Sequence, residues 1–268
     1  MRPLRPLLLS MGLPMALAAC AAPAAGTFST ETLRSAETGR SYTLSIFEPD
    51  ALGAATPVVY LLDGDDWTDE TARVVSVLAE EEGLPAPLVV GIGYGEGTNH
   101  RARDYTPSGP GVASDEGQVD VFLDFLADEL VPWVDEGWDT DATPSGRIMA
   151  GHSFGGVGAF WGQMTRPELL GGCIALSPSL AFGDTAAFVE ERAYADAHDD
   201  LDARMYLAAG SQEAFGLAAL TVEMGEVLGA RGYPSLDLQT ELLDGRYHAA
   251  TFPDGIEAGL RHTLGGAQ

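Results

Sequence analysis

Ser153 stands in Gly151-His152-Ser153-Phe154-Gly155-Gly156, with an apolar run (Arg147–Ala150) before it and a helix-like segment starting at Val157 after it. A serine between a strand and a helix, with glycine two residues either side, fits the G-x-S-x-G nucleophile elbow. Such a turn is tight enough that side chains at the flanking positions would meet neighbouring backbone. The following helix would direct its N-terminal N–H groups at developing negative charge. The chemistry is acyl transfer through a serine hydroxyl.

A serine hydroxyl is a weak nucleophile and needs a base, itself oriented by an acid. With this elbow the chain order is Ser, then Asp or Glu, then His. His248 lies in Gly245-Arg246-Tyr247-His248-Ala249, on the loop between the last strand-like run and the last helix-like run, and is the base of choice. His262 falls inside the terminal helix pattern and His198 in the charged run Ala197-His198-Asp199-Asp200, so both read as surface residues. His152 adjoins the nucleophile, but neighbours on a sharp elbow point in different directions, and it reads as packing or bonding locally. Glu213 follows the apolar run Met205–Ala209 across a short turn and is the preferred acid, with Asp244 as the competing choice. Oxyanion donors are expected from the Phe154 N–H and from Gly64 or Asp65, in the loop Leu61-Leu62-Asp63-Gly64-Asp65-Asp66-Trp67. No histidine accompanies Asp63 and Asp65 there, so no metal is assigned, and no cofactor.

These residues need a scaffold that brings them to one edge. Short apolar, β-branched runs alternate with longer amphipathic ones, which predicts an α/β fold with a mostly parallel sheet covered on both faces. Strands are expected at Tyr42–Phe47, Pro57–Asp63, Leu88–Ile92, Arg147–Ala150, Cys173–Leu176, Met205–Ala209 and Leu236–Leu243. Helices are expected at Thr71–Glu82, Val119–Val134, Asp184–His198, Ala214–Arg231 and Phe252–Leu264. One domain over residues 31–266 accounts for the pattern, without an insertion large enough for a separate lid.

The N-terminus reads as a processing signal. Arg2 and Arg5 precede an apolar run that ends in Leu17-Ala18-Ala19-Cys20. This resembles a bacterial lipobox, with residues 1–19 as signal peptide, Cys20 as the lipidated residue and 20–30 as a tether. The expectation is an exported cell-envelope lipoprotein held at a membrane surface by lipid, facing the periplasm if the source is Gram-negative. Cys173 would then be the one remaining thiol, in a buried-strand pattern. The formal charge is −26, from 40 acidic residues against 14 basic ones, all arginine. Nucleic-acid binding is excluded by that balance, because phosphate neutralisation needs a basic face.

Taken together, the motifs resemble the esterase D / putative esterase family of α/β-hydrolases. The matching blocks are Val59-Tyr60-Leu61-Leu62-Asp63-Gly64, Arg103-Asp104-Tyr105-Thr106-Pro107, the elbow, Leu176-Ser177-Pro178-Ser179, Gly210 to Glu213, and His248 with Phe252-Pro253. The resemblance implies an α/β-hydrolase fold and a serine carboxylic-ester hydrolase acting on a small or medium ester, siderophore esters among them. An acyltransferase of the same fold and a ligand-binding lipoprotein remain as alternatives. The same resemblance puts Arg101, Asp104 and Tyr105 near the pocket, and Trp67 is expected to join them. Arg101, Arg103 and Arg246 are the candidates for meeting an anionic substrate.

Overall fold

A computed structural model describes residues 25–265 of the chain. The expected signal peptide, Cys20 and the first part of the expected tether lie outside the described residues. Eight strands form one sheet: β1 (Gly26–Arg34), β2 (Ser41–Pro49), β3 (Val58–Leu62), β4 (Leu88–Gly93), β5 (Arg147–His152), β6 (Gly172–Leu176), β7 (Ala203–Gly210) and β8 (Leu236–Leu243). Their spatial order is β1-β2-β4-β3-β5-β6-β7-β8. β1 and β2 are antiparallel to their neighbours, and the pairs from β4 to β8 are parallel. This is the α/β-hydrolase arrangement.

Strand periodicity divides the core between two faces. In β3, Val58, Tyr60 and Leu62 turn to one face, which is covered by α3 (Val119–Phe125), α5 (Phe154–Thr165), α6 (Phe182–Ala197) and α7 (Leu217–Arg231). Val59 and Leu61 turn to the other, under α1 (Gly64–Glu82) and α8 (Thr251–Leu264). Phe252, Ile256, Leu260 and Leu264 recur every four residues, so α8 lays one apolar stripe on the sheet. α2 (Arg101–Asp104) is a single turn after β4. Among the described residues no helix is long and apolar enough to cross a membrane.

Four sequence expectations shift. Residues 26–30, assigned to a tether, belong to β1, which pairs with β2 along its full length. Nearly every β1 residue is exposed, so no in–out alternation marked it as a strand. Its Phe28 ring reaches Phe47 at 5.1 Å between centroids. α1 begins at Gly64 rather than Thr71, because Gly64-Asp65-Asp66, which reads as a turn, is the helix's first turn. The expected Val119–Val134 helix is interrupted by a π-helical turn over Leu126–Leu130 before α4 (Val131–Gly137). Pro132 lacks an N–H to donate to the turn before it, which accounts for the widened turn. α7 starts at Leu217, three residues later than the pattern suggested, behind Phe215 and Gly216 at positive φ.

Candidate active site

The parallel strands end on one edge, and the chemistry-bearing loops gather there. β5 runs into Ser153, which has φ 60° and ψ −114° and caps α5. A non-glycine residue at positive φ is strained and must be held by its surroundings. Here the Ser153 N–H donates to the Leu176 carbonyl at 2.9 Å, and the Ser153 carbonyl accepts from Ser179 and Val157 at 3.1 Å each. The glycines explain themselves sterically. A Cβ on Gly151 would lie 2.3 Å from the Gly155 carbonyl oxygen, and one on Gly156 would lie 2.7 Å from the Leu176 carbonyl oxygen. At Gly155 the closest atom would be Asp63 Oδ2 at 3.1 Å, so the absolute demand falls on positions 151 and 156.

Glu213 follows β7 and His248 follows β8. Glu213 Oε2 sits 2.9 Å from His248 Nδ1. Its other oxygen accepts from Ser177 Oγ at 2.5 Å, the Gly210 N–H at 2.7 Å and Thr251 Oγ1 at 2.8 Å. Burial by itself would raise the Glu213 carboxyl. The donors from Ser177, Gly210, His248 and Thr251 outweigh it and hold the group below the usual carboxylate range. The carboxylate is thereby kept ionised and aimed at the imidazole.

His152 is buried, and its Nε2 lies 2.9 Å from the His248 carbonyl oxygen. Its ring is 4.5 Å from the His248 ring, between centroids. Burial first, and the neighbouring His248 second, push His152 down to about 4.

Asp63, at the end of β3, has φ 57° and is the residue before α1. Arg101 grips it with two prongs, Nε to Oδ1 and Nη2 to Oδ2, each 2.8 Å. The guanidinium lies 5.2 Å from the centre of the Phe154 ring. The Asp65 side chain is held at the end of β4, its Oδ2 accepting from the N–H groups of Tyr94 and Gly95 at 2.5 and 3.0 Å. Ser153, His248, His152, Asp63, Asp66, Trp67, Arg101 and Ala249 line a cleft of about 330 Å³.

A family model described as "Putative esterase" matches residues 35–257. The chain belongs to this esterase family. Among curated relatives of the esterase chain, the siderophore triacetylfusarinine C esterase of Aspergillus fumigatus is 28% identical over 146 residues, 52% of this chain and 50% of that protein. The matched part is between half and about three-fifths of the length of such relatives. Among solved structures, the BES protein of Bacillus cereus superposes with a TM-score of 0.79 at 24% identity, covering 88% of this chain and 96% of that one. An IroE-like serine hydrolase from Shewanella oneidensis reaches 0.77 at 23% identity, over 89% and 80% of the two chains. Those likenesses show the fold.

Against the sequence expectations for this esterase-family chain, Ser153, His248, Trp67 and Arg101 share the cleft, and Glu213 stands directly behind His248. Asp244 does not meet the imidazole: it is exposed, and its side-chain partner is Ser211 Oγ at 3.5 Å. Asp104 and Tyr105 lie outside the cleft lining. Asp104 is fully buried and accepts from Tyr42, Tyr94 and Arg103, while the Tyr105 hydroxyl packs beneath the site against Asp63 and Ile92. Gly64 is required by packing on the sheet, since a Cβ there would meet the Gly91 carbonyl carbon at 2.3 Å. Sequence reading missed Asp63 as the partner of Arg101, and Ser177 and Thr251 as the clamp on Glu213. Ser177 lay in a motif block already singled out, while Thr251 carried no signal of its own.

Proposed function

We propose that the chain is a serine carboxylic-ester hydrolase working through an acyl-enzyme. The observation that carries this is the hydrogen bond from His248 Nδ1–H to an ionised, clamped Glu213, with His248 facing the same cleft as the strained Ser153. Ser153 Oγ attacks the ester carbonyl carbon while His248 Nε2 takes its proton. Glu213 stabilises the resulting imidazolium. The oxyanion is met by the Phe154 N–H at the start of α5 and by Gly64 or Asp65 at the start of α1, both helices contributing favourable dipoles. His248 then returns the proton to the departing alkoxide, leaving Ser153 acylated. Water, deprotonated by His248, attacks the acyl carbon; the Oγ–acyl bond breaks as His248 returns that proton to Ser153 Oγ, and the carboxylic acid is released.

Membership of the esterase family supports this reading, as does the convergence of three loops on one edge. The substrate is a small or medium ester. The name of the Aspergillus relative makes iron-loaded siderophore esters natural compounds to try. The N-terminal pattern supports an exported lipoprotein anchored through Cys20, and Cys20→Ala should release the protein from the membrane fraction.

The test is hydrolysis of p-nitrophenyl esters from acetyl to longer chains, with Ser153→Ala alongside. Turnover should fall by at least about a thousandfold in the variant, and a fluorophosphonate should label Ser153. Undiminished hydrolysis in folded Ser153→Ala would overturn the proposal.

A further inference from the structure

The three arginines expected to receive an anionic substrate are each already taken by a carboxylate of the chain. Arg101 commits Nε and Nη2 to Asp63. Arg103 donates to the fully buried Asp104 at 2.6 Å. Arg246, two residues before His248, pairs with Asp254. The first pair cannot open cheaply for an incoming anion. Asp63 is 6% exposed, and a buried carboxylate stripped of its partner is strongly unfavourable. His152, held at about 4, adds no positive charge at neutral pH.

One charge in the cleft has no such partner. Asp66 is exposed on the first turn of α1 and lines the cleft beside Trp67. Among the described residues its carboxylate forms no hydrogen bond or ion pair. With Asp63 and Arg101 cancelling, Asp66 leaves the lining negative, within a chain whose formal charge is −26. A cleft with one sign of charge enriches ligands of the opposite sign and slows entry of like-charged ones.

We propose that this site selects esters without negative charge, and that Asp66 favours those bearing a cationic group close to the ester. The inference rests on the serine-esterase reading above and narrows its substrate class.

Three butyrate esters of similar size separate the possibilities: butyrylcholine, its uncharged isostere dimethylbutyl butyrate, and anionic sulfopropyl butyrate. With the purified protein at low salt, kcat/KM should fall in that order, by about three- to tenfold at each step. The spread should shrink at high salt. Asp66→Asn should lower the ratio of choline to uncharged ester by about threefold or more, mainly through KM. If the sulfonate ester is turned over as well as the uncharged one, or the ratio is unmoved in Asp66→Asn, the inference is wrong while the esterase reading stands. If none of the three is hydrolysed and a fluorophosphonate leaves Ser153 unlabelled, the esterase reading fails and this inference falls with it.

Discussion

His152 Nε2 stands 2.9 Å from the carbonyl oxygen of His248, so the residue before the proposed nucleophile is tied to the backbone of the proposed base. A carbonyl only accepts, which fixes the neutral tautomer of His152 with its proton on Nε2. The bond joins the end of β5 to the loop after β8 and sets where the His248 ring stands relative to Ser153. Small displacements of a catalytic base are costly. His152→Phe, which keeps a flat ring but loses the donor, should lower kcat by about 10- to 100-fold with little change in KM. His152→Gln places an N–H at similar reach and should recover most of the loss. Steady-state kinetics on a short-chain ester decides it, and equal kcat in the Phe variant and the parent would rule out the positioning role.

The same histidine gives the fold an acid sensitivity. Its ordinary value is 6.5, and in the native protein it is pushed down to about 4. Below 6.5 the unfolded chain binds a proton that the native state refuses. Stability is therefore complete above 6.5 and declines as pH falls toward 4, by about 3 kcal/mol in total. Glu213, lowered from 4.5, acts in a lower window: its contribution is present above 4.5 and is lost as pH drops through its native value. Urea unfolding at a series of pH values should show the decline between 6.5 and 4, and His152→Gln should flatten that part of the curve.

The clamp on Glu213 separates the two candidate acids. Glu213→Gln removes the charge that, in the proposed mechanism, stabilises the His248 imidazolium, and should cost about 10³- to 10⁴-fold in kcat. Asp244→Asn changes an exposed side chain that reaches only Ser211 and should stay within about twofold of the parent, as surface substitutions do. The reverse ranking would reassign the acid.

Gly64 is packed against the sheet at the start of α1, where the proposed oxyanion donors lie. A methyl group there would lie 2.3 Å from the Gly91 carbonyl carbon and 2.5 Å from the Ile92 nitrogen, and neither backbone atom can step aside alone. The start of α1 must then lift from β4, carrying the N–H groups of Gly64 and Asp65 with it. Gly64→Ala is expected to lose about 1–3 kcal/mol of stability and about 100-fold in kcat. Gly229→Ala, with nothing within 4 Å of the new Cβ, serves as the control. Thermal melts and kinetics on both variants check this, and a fully active Gly64→Ala would mean that the oxyanion donors lie elsewhere.

Much of the framework was legible in the chain because it is encoded locally. Apolar runs such as Leu88–Ile92 and Arg147–Ala150 announce buried parallel strands, and glycines around Ser153 announce a turn that tolerates no Cβ. Once the strands are parallel, their carboxyl ends share an edge, which is why Glu213 after β7 and His248 after β8 meet. β1 escaped notice since an exposed edge strand needs no alternating pattern. The start of α1 escaped because Gly-Asp-Asp is equally good turn chemistry.

By itself, then, the sequence determined the family and the fold class, and it ordered the loops that carry the proposed Ser153, Glu213 and His248, all of which rest on short-range spacing and periodicity. Only the tertiary structure decided which charges cancel and which donors converge. Ser177, Gly210 and Thr251 reach one carboxylate oxygen from three separate segments. Arg101 finds Asp63 across 38 positions of chain, and His152 finds a carbonyl 96 positions away. Nothing local specifies such pairings. They arise because packing brings the two groups together, and because a buried charge or polar atom left without a partner is too costly to keep.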